Sequence, residues 1–549
     1  MGFRTIGRFV RSALTQVLPT KFRPFLIALA TAIAMSGPAA VAQESAAFRQ
    51  AVAEAAASDR ALLNFYRDRD FTGLWIGAGK DERARRAALL SAFDEAADHG
   101  LPAARYDSKA LEAKIRNARS QTDLGQIDVE LSRVFLNYAR DIQTGVLVPG
   151  DVVEDIKRRV PHRDRGSILD AFSKSTPTAF IRTLPPQSEE YARLLKAKFD
   201  LERIVAAGDW GTPVYSDVTL RPGDSSDAVV ALRNRLIRMG YMSRTASAIY
   251  DGPLQEAVQR FQLDHGLNPD GIAGQGTLGE VNVTAAARLQ SIFVAMERER
   301  WNNQPLGDRH IWVNLTDFTA KIVDNGEVTF VTRSVVGANI EDQRSPEFSD
   351  RMEYMVLNPG WYVPRSIIVN EYLPLLQVDP LAVNNLEITR EDGSIVERLG
   401  TDFSAFDETT FPFGMREPPS QGNALGEVKF MFPNPYNIYL HDTPSQSLFA
   451  KEVRAFSHGC IRLDDPRDFA YALLAKQVSD PSSYYASMQA LGDEIEVRLE
   501  QPVPVHIDYR TAFTTAAGGI EFRRDIYGRD AKIWAALTRE GVAARAVRG

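Results

Sequence analysis

Cysteine is almost absent from this sequence, because Cys460 is the only one among 549 residues. A single cysteine excludes an intramolecular disulfide, and it also excludes a zinc site built from several cysteines. The thiol must therefore act alone or together with side chains of other types.

An excess of positive charge is missing as well. The chain carries 64 basic and 71 acidic side chains, which gives a formal net charge of −7 at pH 7. Proteins that bind nucleic acid usually need a basic surface to neutralise phosphates, so we expect no nucleic-acid partner. The composition, 44% hydrophobic and 25% charged, is that of a globular protein, and at about 150 residues per domain the length predicts three or four domains.

The sequence also lacks a long hydrophobic run. The apolar stretch at residues 25–35 falls short of the roughly 20 residues that a membrane-spanning helix needs. It follows a basic segment without acidic residues and precedes Ala40-Val41-Ala42, an A-x-A cleavage site. We therefore predict a signal peptide over residues 1–42, export to the periplasm, and membrane contact only in transit. An uncleaved membrane anchor is the alternative.

The rest of the chain is predicted to have four parts. Helical periodicity over residues 43–214 indicates an α-helical scaffold without acid–base or metal-ligand spacing. Residues 215–285 predict three short helices around a small core, which suits either a spacer or a ligand-binding module. Over residues 308–500 the hydrophobic period becomes 2, which predicts a β-rich domain. Residues 501–549 are interpreted as a structural extension.

Two features subdivide the β-rich domain. Residues 321–330 are predicted to form a β-hairpin, because Asn325-Gly326 supplies the positive-φ turn. Between about residues 367 and 423 the strand pattern lapses into a mixed, turn-rich insertion. We interpret this insertion as a lid, with a surface loop of no catalytic role as the alternative.

The chemistry is concentrated around the cysteine. His441 lies upstream of the run Ser457-His458-Gly459-Cys460-Ile461-Arg462, so two of only seven histidines precede the thiol closely. With a pKa near 8.5, only about 3% of a free thiol is ionised at pH 7, and a neighbouring imidazole can take the proton. Gly459 allows the tight turn that brings backbone N–H groups to an oxyanion.

These residues predict a cysteine nucleophile on a loop between a strand and the N-terminus of a helix that begins at Pro466. The local field there would favour an anion. Two other interpretations stay open: a buried structural cysteine, and a zinc site formed by His441, His458 and Cys460 with a further ligand or water.

The spacing of His441 and Ser457-His458-Gly459-Cys460-Ile461-Arg462 resembles the signature of the L,D-transpeptidase (YkuD-type) catalytic domain. Further stretches are similar to the large periplasmic YcbB-like subgroup of that family. In the catalytic region these are residues 358–364 and 432–441. Residues 220–282 resemble its three-helix peptidoglycan-binding module, and residues 66–75 and 99–101 resemble its scaffold domain. The resemblance implies an α+β multidomain fold, with a helical scaffold, a peptidoglycan-binding module and a β-rich, β-sandwich-like catalytic domain with a lid.

The resemblance also implies an activity in cell-wall biogenesis and cell shape. Cys460 would attack the third residue, usually meso-diaminopimelate, of a tetrapeptide stem, release D-alanine and form a thioester. The side-chain amine of a second stem's diaminopimelate would resolve it into a 3–3 cross-link, whereas water would give L,D-carboxypeptidase activity. Carbapenems are expected to be covalent inhibitors, and no cofactor or metal is implied.

In this scheme His441 is the general base, oriented by the backbone carbonyl of Asp442, and His458 supports the site as a third catalytic residue. The oxyanion and substrate-binding residues implied are Gly459, Tyr439, Arg462, Trp361 and Ser457. Two other functions stay open. One is a cysteine hydrolase of stem peptides, a class in which the cysteine precedes its histidine; the other is a non-catalytic peptidoglycan-binding scaffold.

Overall fold

The structure, a computed structural model, describes residues 46–544. The predicted signal peptide lies outside these residues. Among the helices of residues 46–544, none has both the length and the hydropathy needed to cross a bilayer.

The N-terminal half is helical, as the sequence predicts. Its helices are α1 (Ala46–Ala56), α2 (Arg60–Arg67), α3 (Lys80–Asp94), α4 (Ser108–Asn117), α5 (Gln121–Thr144), α6 (Pro149–Val152), α7 (Arg165–Lys174), α8 (Pro177–Arg182), α9 (Glu189–Ala206), α10 (Asp227–Met239), α11 (Gly252–Asp264), α12 (Gln275–Val281) and α13 (Ala285–Trp301).

The C-terminal half mixes strands and short helices. Its strands are β1 (Arg309–Asn314), β2 (Thr319–Asp324), β3 (Glu327–Gly337), β4 (Phe348–Leu357), β5 (Trp361–Tyr362), β6 (Glu387–Thr389), β7 (Gly414–Glu417), β8 (Val428–Met431), β9 (Leu440–His441), β10 (Ala455–Ser457), β11 (Ile461–Leu463), β12 (Ile495–Asp508), β13 (Ala512–Thr514) and β14 (Ile520–Phe522). Its helices are α14 (Arg365–Ile367), α15 (Leu373–Val378), α16 (Pro466–Leu474), α17 (Pro481–Gln489) and α18 (Arg529–Arg539).

The scaffold is organised around α5. This helix begins with a capping box of Ser120 and Asp123 and ends at Gly145, whose φ of +88° suits glycine. Its buried Asp128 carboxylate accepts hydrogen bonds from the backbone N–H groups of residues 74–76, which fixes the loop after α2. Trp75 on that loop is fully buried in the hydrophobic core of the scaffold.

The three-helix module has a core of its own. Val229, Leu232 and Leu236 on α10 are fully buried, as the helical spacing predicts. Gly240 ends α10 in the left-handed conformation, with a φ of +89°. The module is in contact with the C-terminal hairpin β13–β14, since the ring centroids of His265 and Phe522 are 5.7 Å apart.

A third core joins segments that are far apart in sequence. Side chains of α9, α13, the β13–β14 hairpin and α18 pack together. On α13, Arg298 donates to the Glu347 carboxylate at 2.6 Å and to Asp530 at 2.8 Å, and Arg529 on α18 donates to Glu347 at 3.0 Å. These charges are buried and paired, so removal of one partner would leave an uncompensated ion in the core.

The interpretation of residues 501–549 as an extension is therefore wrong for their first part. Strand β12 runs without interruption from Ile495 to Asp508 and pairs with β4 on one side and β1 on the other. Residues 501–508 thus belong to the central sheet. The sequence pattern predicts a domain boundary at residue 500 because a bulge between Arg498 and Val503 interrupts the alternation of polar and apolar residues.

The β-rich domain is built on one nine-stranded mixed sheet, in the order β10-β3-β11-β9-β8-β4-β12-β1-β2. The sheet closes on itself, because β3 also pairs with β2. The α+β fold class is confirmed; the sandwich-like core is formed by this one curled sheet. The hairpin predicted at Asn325-Gly326 is confirmed, with φ values of +52° and +86°.

The insertion predicted at about residues 367–423 begins and ends earlier in the structure, at residues 361–417, where it has a small sheet of its own in the order β5-β7-β6. A separate apolar cluster, which includes Leu376, Ile388 and Phe403, fills its interior. Between α14 and α15 the chain forms a π-helical turn at Ile368–Tyr372. The insertion is therefore a folded unit, and it begins next to the residues of the candidate site.

Candidate active site

Two short strands bring the sequence-predicted residues together. Strands β9 and β11 are parallel, with Leu440 opposite Ile461 and His441 opposite Arg462. Side chains alternate along a strand, and Leu440 and Ile461 are fully buried in the core of the sheet. The alternate residues, His441 and Arg462 with Tyr439 and Cys460 before them, therefore share the opposite face.

His441 is held in its neutral form. It is 4% exposed, and its Nδ1 donates to the backbone carbonyl of Asp442 at 2.5 Å, which leaves Nε2 as the basic nitrogen. Burial, reinforced by the Arg462 charge, lowers the pKa of His441 to about 3. The Asp442 carboxylate is engaged elsewhere, because it accepts the N–H groups of Glu427 and Thr443. The predicted contact between the Asp442 carbonyl and the imidazole is thus present.

The sulfur of Cys460 is surrounded by groups from the preceding strand. The thiol donates to the carbonyl oxygen of Asn437 at 3.6 Å, and hydrogen bonding by the side chain and backbone of Tyr439 acts to lower the pKa of Cys460. The rings of Tyr439 and His441 are 5.6 Å apart. Burial raises the pKa of Tyr439 well above its ordinary value, so its hydroxyl remains a hydrogen-bond donor.

The electrostatic environment of the thiol differs from the one predicted. Cys460 lies between β10 and β11, and α16 begins only at Pro466, after β11. The helix N-terminus is thus not the next element after the cysteine. Burial raises the pKa of Cys460 to about 11, against smaller opposing effects of the Tyr439 hydrogen bonds and the Arg462 charge. At neutral pH the resting pair is therefore a thiol and a neutral imidazole.

The raised thiol pKa predicts slow alkylation. Relative to a free thiol of pKa near 8.5, a pKa of about 11 lowers the thiolate fraction at pH 7 roughly 300-fold, and we expect iodoacetamide to react correspondingly slowly. The rate should rise about tenfold per pH unit, because the thiolate fraction does so below the pKa. Mass spectrometry of timed samples between pH 7 and 9 measures the alkylation rate of Cys460, and free cysteine serves as the control. An alkylation rate that is already fast at pH 6 and does not change at higher pH would contradict this prediction. It would mean that Cys460 and His441 rest as a thiolate and an imidazolium.

The turn that carries the cysteine, residues 457–460, is braced from within. Gly459 has a φ of +109°, and a Cβ there would approach Ile438 to 3.2 Å. The Ser457 hydroxyl donates to the Cys460 carbonyl at 2.5 Å and accepts the N–H of Gly459 at 3.2 Å. Ser457, 2% exposed, and the Gly459 amide thus make hydrogen bonds inside the turn, and the substrate-binding and oxyanion roles of these two residues stay predictions.

The turn is also anchored to the core beneath it. The Ser345 hydroxyl donates to the carbonyl of Gly459 at 2.6 Å, and Arg529 of α18 donates to the carbonyl of Ser345 at 2.7 Å. The C-terminal helix α18 is therefore connected to the turn of the cysteine by hydrogen bonds through Ser345. This connection could not be inferred from the sequence of either segment.

The remaining predicted residues take different places. Arg462 is mostly buried beside Cys460, and its Nε has no hydrogen-bond partner. Trp361, the first residue of the insertion, donates through its side chain to the Tyr439 hydroxyl. Nε2 of His458 lies 2.6 Å from Oε1 of Glu371 in the π-helical turn. Tyr439 thus interacts with Cys460 and Trp361 and lies beside His441, while Arg462 lies near Cys460. His458 is paired with the insertion.

Sequence reasoning missed three residues near the site. Asn437 supplies the carbonyl next to Sγ and has a φ of +55°, which its position in a Pro/Asn-rich turn could have indicated. Lys429 pairs with His441 across β8 and β9 and contributes to its lowered pKa. Glu371 had no sequence signal. Across residues 46–544 no group of three or more His, Cys, Asp or Glu side chains is arranged to hold a metal ion.

Three parts of the chain match models of known protein families. Residues 308–497 match the family model described as "L,D-transpeptidase catalytic domain", residues 60–197 match "Scaffold domain", and residues 225–280 match "Putative peptidoglycan binding domain".

A curated protein from Haemophilus influenzae, described as "Putative L,D-transpeptidase", is 29% identical over 242 residues. The alignment covers 44% of this chain and 48% of the relative, so the chain spans about half the length of the curated relative that it matches.

Two solved structures of L,D-transpeptidases are also similar. The one from Xylanimonas cellulosilytica is 15% identical, and the alignment covers 54% of this chain and 99% of that one, with a TM-score of 0.16. The one from Stackebrandtia nassauensis is 14% identical, with coverages of 55% and 98% and a TM-score of 0.22. With such TM-scores they carry no argument here. The matches of the family models lead to one conclusion: residues 308–497 form a domain that matches the L,D-transpeptidase catalytic domain, beside regions that match a scaffold domain and a peptidoglycan-binding domain.

Proposed function

We propose that this protein is a peptidoglycan L,D-transpeptidase that forms 3–3 cross-links through a Cys460 thioester. One observation supports the proposal: in a domain that matches the L,D-transpeptidase catalytic model, β9 and β11 pair with His441 opposite Arg462, and Tyr439 and Cys460 come directly before Leu440 and Ile461 in the two strands. A nucleophile, a neutral base, a phenol donor and a cation are the groups that acyl transfer requires.

The first step is acylation of the cysteine. Nε2 of His441 accepts the thiol proton, and the thiolate attacks the carbonyl carbon of diaminopimelate at the third position of a tetrapeptide stem. The C–N bond to D-alanine then breaks, the imidazolium returns the proton to the leaving amine, and a thioester remains. Because the resting thiol is neutral, proton transfer and attack belong to the bound complex, in which the forming thiolate and imidazolium stabilise each other.

The second step consumes the thioester. The side-chain amine of a second stem's diaminopimelate attacks the same carbon and gives up a proton to His441. The C–S bond breaks, the sulfur recovers its proton, and a 3–3 cross-link forms. Water in place of the amine would leave a tripeptide, which is the L,D-carboxypeptidase outcome.

The groups around the sulfur suit the charge that develops in both steps. The Tyr439 hydroxyl is a donor next to Sγ and serves as an oxyanion ligand, while Arg462 stabilises negative charge on sulfur or on the oxyanion. Trp361 orients the Tyr439 hydroxyl and faces the stem peptide from the insertion.

The other domains fit a polymeric substrate. We propose that the module at residues 215–285 holds peptidoglycan while the catalytic domain reacts, and that the scaffold at 43–214 carries both. Domains that act on peptidoglycan imply an extracytoplasmic location. The signal peptide at residues 1–42 and the periplasm as the destination remain our proposal.

Purified tetrapeptide muropeptides test the function. Incubation with the mature protein should release D-alanine and give dimers joined through two diaminopimelate residues, identified by tandem mass spectrometry. Tripeptide monomers alone would indicate the carboxypeptidase. Retention on sacculi without any turnover would leave a peptidoglycan-binding scaffold and contradict the proposal.

A further inference from the structure

Glu371 makes a contact between the insertion and the turn that carries the nucleophile. Its Oε1 lies 2.6 Å from Nε2 of His458, two residues before Cys460 and 87 residues away in sequence. The two side chains are 40% and 38% exposed, so the contact lies at the rim of the site.

The local backbone directs both side chains into this contact. Glu371 lies in the π-helical turn Ile368–Tyr372 between α14 and α15, and such turns widen a helix and reorient its side chains. On the other side, the turn 457–460 is fixed by Ser457 and by the bond from Ser345 to Gly459. His458 therefore projects from a rigid support.

A second contact ties the base of the insertion to the same site. Trp361 donates to the Tyr439 hydroxyl, and its ring lies 6.4 Å from that of Tyr372, the residue after Glu371. The insertion is thus attached on two sides of Cys460: at Tyr439 through Trp361, and at His458 through Glu371.

We propose that Glu371 is a positioning residue that holds the insertion against the nucleophile turn through His458, and that this contact favours the amine acceptor over water. The inference rests on the proposed function, because the thioester is the species at which amine and water compete. Loss of the contact between Glu371 and His458 makes the edge of the insertion more mobile and lets water reach the thioester. The groups that form the thioester stay in place.

The product ratio is the decisive measurement. For Glu371→Ala we expect the ratio of 3–3 dimers to tripeptide monomers to fall about two- to fivefold, the size that a half-exposed charged contact supports. The rate of carbapenem acylation should change less than the ratio, because His441, Tyr439 and Arg462 are untouched. Glu371→Gln, which keeps an acceptor oxygen for the imidazole, should recover part of the ratio.

Two further variants separate the contact from a general effect on the insertion. Glu391→Ala removes an exposed carboxylate from the same insertion and should leave the ratio at the wild-type value. His458→Ala should lower the ratio as Glu371→Ala does, and the double variant should lower it no further, because both changes break one contact.

The structural consequence is measured without turnover. Amide hydrogen exchange of residues 361–378 should be faster in Glu371→Ala than in the wild type and unchanged in Glu391→Ala. If Glu371→Ala keeps both the wild-type ratio of dimers to tripeptides and the wild-type hydrogen exchange, the inference is wrong. The proposed function would not be affected by that result. Absence of D-alanine release in the wild type would refute the function, and the exchange experiment would then decide alone whether Glu371 holds the insertion.

Discussion

Cys460→Ala is expected to abolish acyl transfer, with a loss of D-alanine release of about 10⁴-fold or more. The chain has no second cysteine, so no other thiol can replace it. The hydrogen bonds that brace its turn use the Ser457 hydroxyl and backbone groups, which alanine retains. The fold and Tm should therefore stay close to those of the wild type.

Intact-mass spectrometry with a carbapenem provides the cleanest measurement. The strained amide of the inhibitor opens when sulfur attacks it and no fragment has to leave, so the wild type should gain the whole mass of the inhibitor once. Cys460→Ala should gain nothing. Because peptidoglycan binding is assigned to another domain, the variant should still sediment with sacculi. Dimer formation by the alanine variant would end the cysteine mechanism.

His441→Ala is expected to slow acylation by about 10²–10⁴-fold, the range for loss of a general base. The effect should be large because the thiol pKa of about 11 leaves almost no thiolate at neutral pH without a proton acceptor. The histidine itself is available down to acidic pH, since its pKa is about 3. Its role therefore does not require deprotonation near neutrality.

The rate of the carbapenem adduct, followed by stopped-flow or timed mass spectrometry, measures this loss. His162→Ala is the matched control, because His162 is exposed and belongs to the scaffold, and it should acylate at the wild-type rate. The His441→Ala protein should also regain rate as the pH rises, when hydroxide ionises the thiol directly. An unchanged rate at pH 7 in His441→Ala would remove this residue as the base.

Much of the site was predictable because its signal is local. The interval from His441 to Cys460 and the glycine before the cysteine are spacing features of a short segment, and they predicted two residues that the fold places on one face. The Asn325-Gly326 hairpin and the buried face of α10 were predictable for the same reason. In each case neighbours in sequence determine the conformation.

The errors and omissions lie where distant segments meet. The sequence pattern splits β12 between two predicted domains because a bulge interrupts the alternation within the strand. Its pairing with β4 and β1 shows that β12 is one continuous strand inside the sheet. The supporting catalytic role of His458 stays a prediction from its place near the cysteine, whereas its hydrogen-bond partner, Glu371, comes from the insertion and had no signal in the sequence. The contact between Ser345 and Gly459 likewise depends on how β3 and β4 are placed.

By itself, the sequence determined which residues are available near the predicted nucleophile: a single cysteine, two histidines shortly before it, and a glycine that permits the turn. Only the tertiary structure decided the state and surroundings of those atoms. Burial makes the resting thiol and the imidazole neutral, and the insertion supplies Trp361 and Glu371 at the rim. The physical reason is that residue type and spacing are encoded locally, whereas desolvation and long-range contacts arise only when segments tens to hundreds of residues apart pack together.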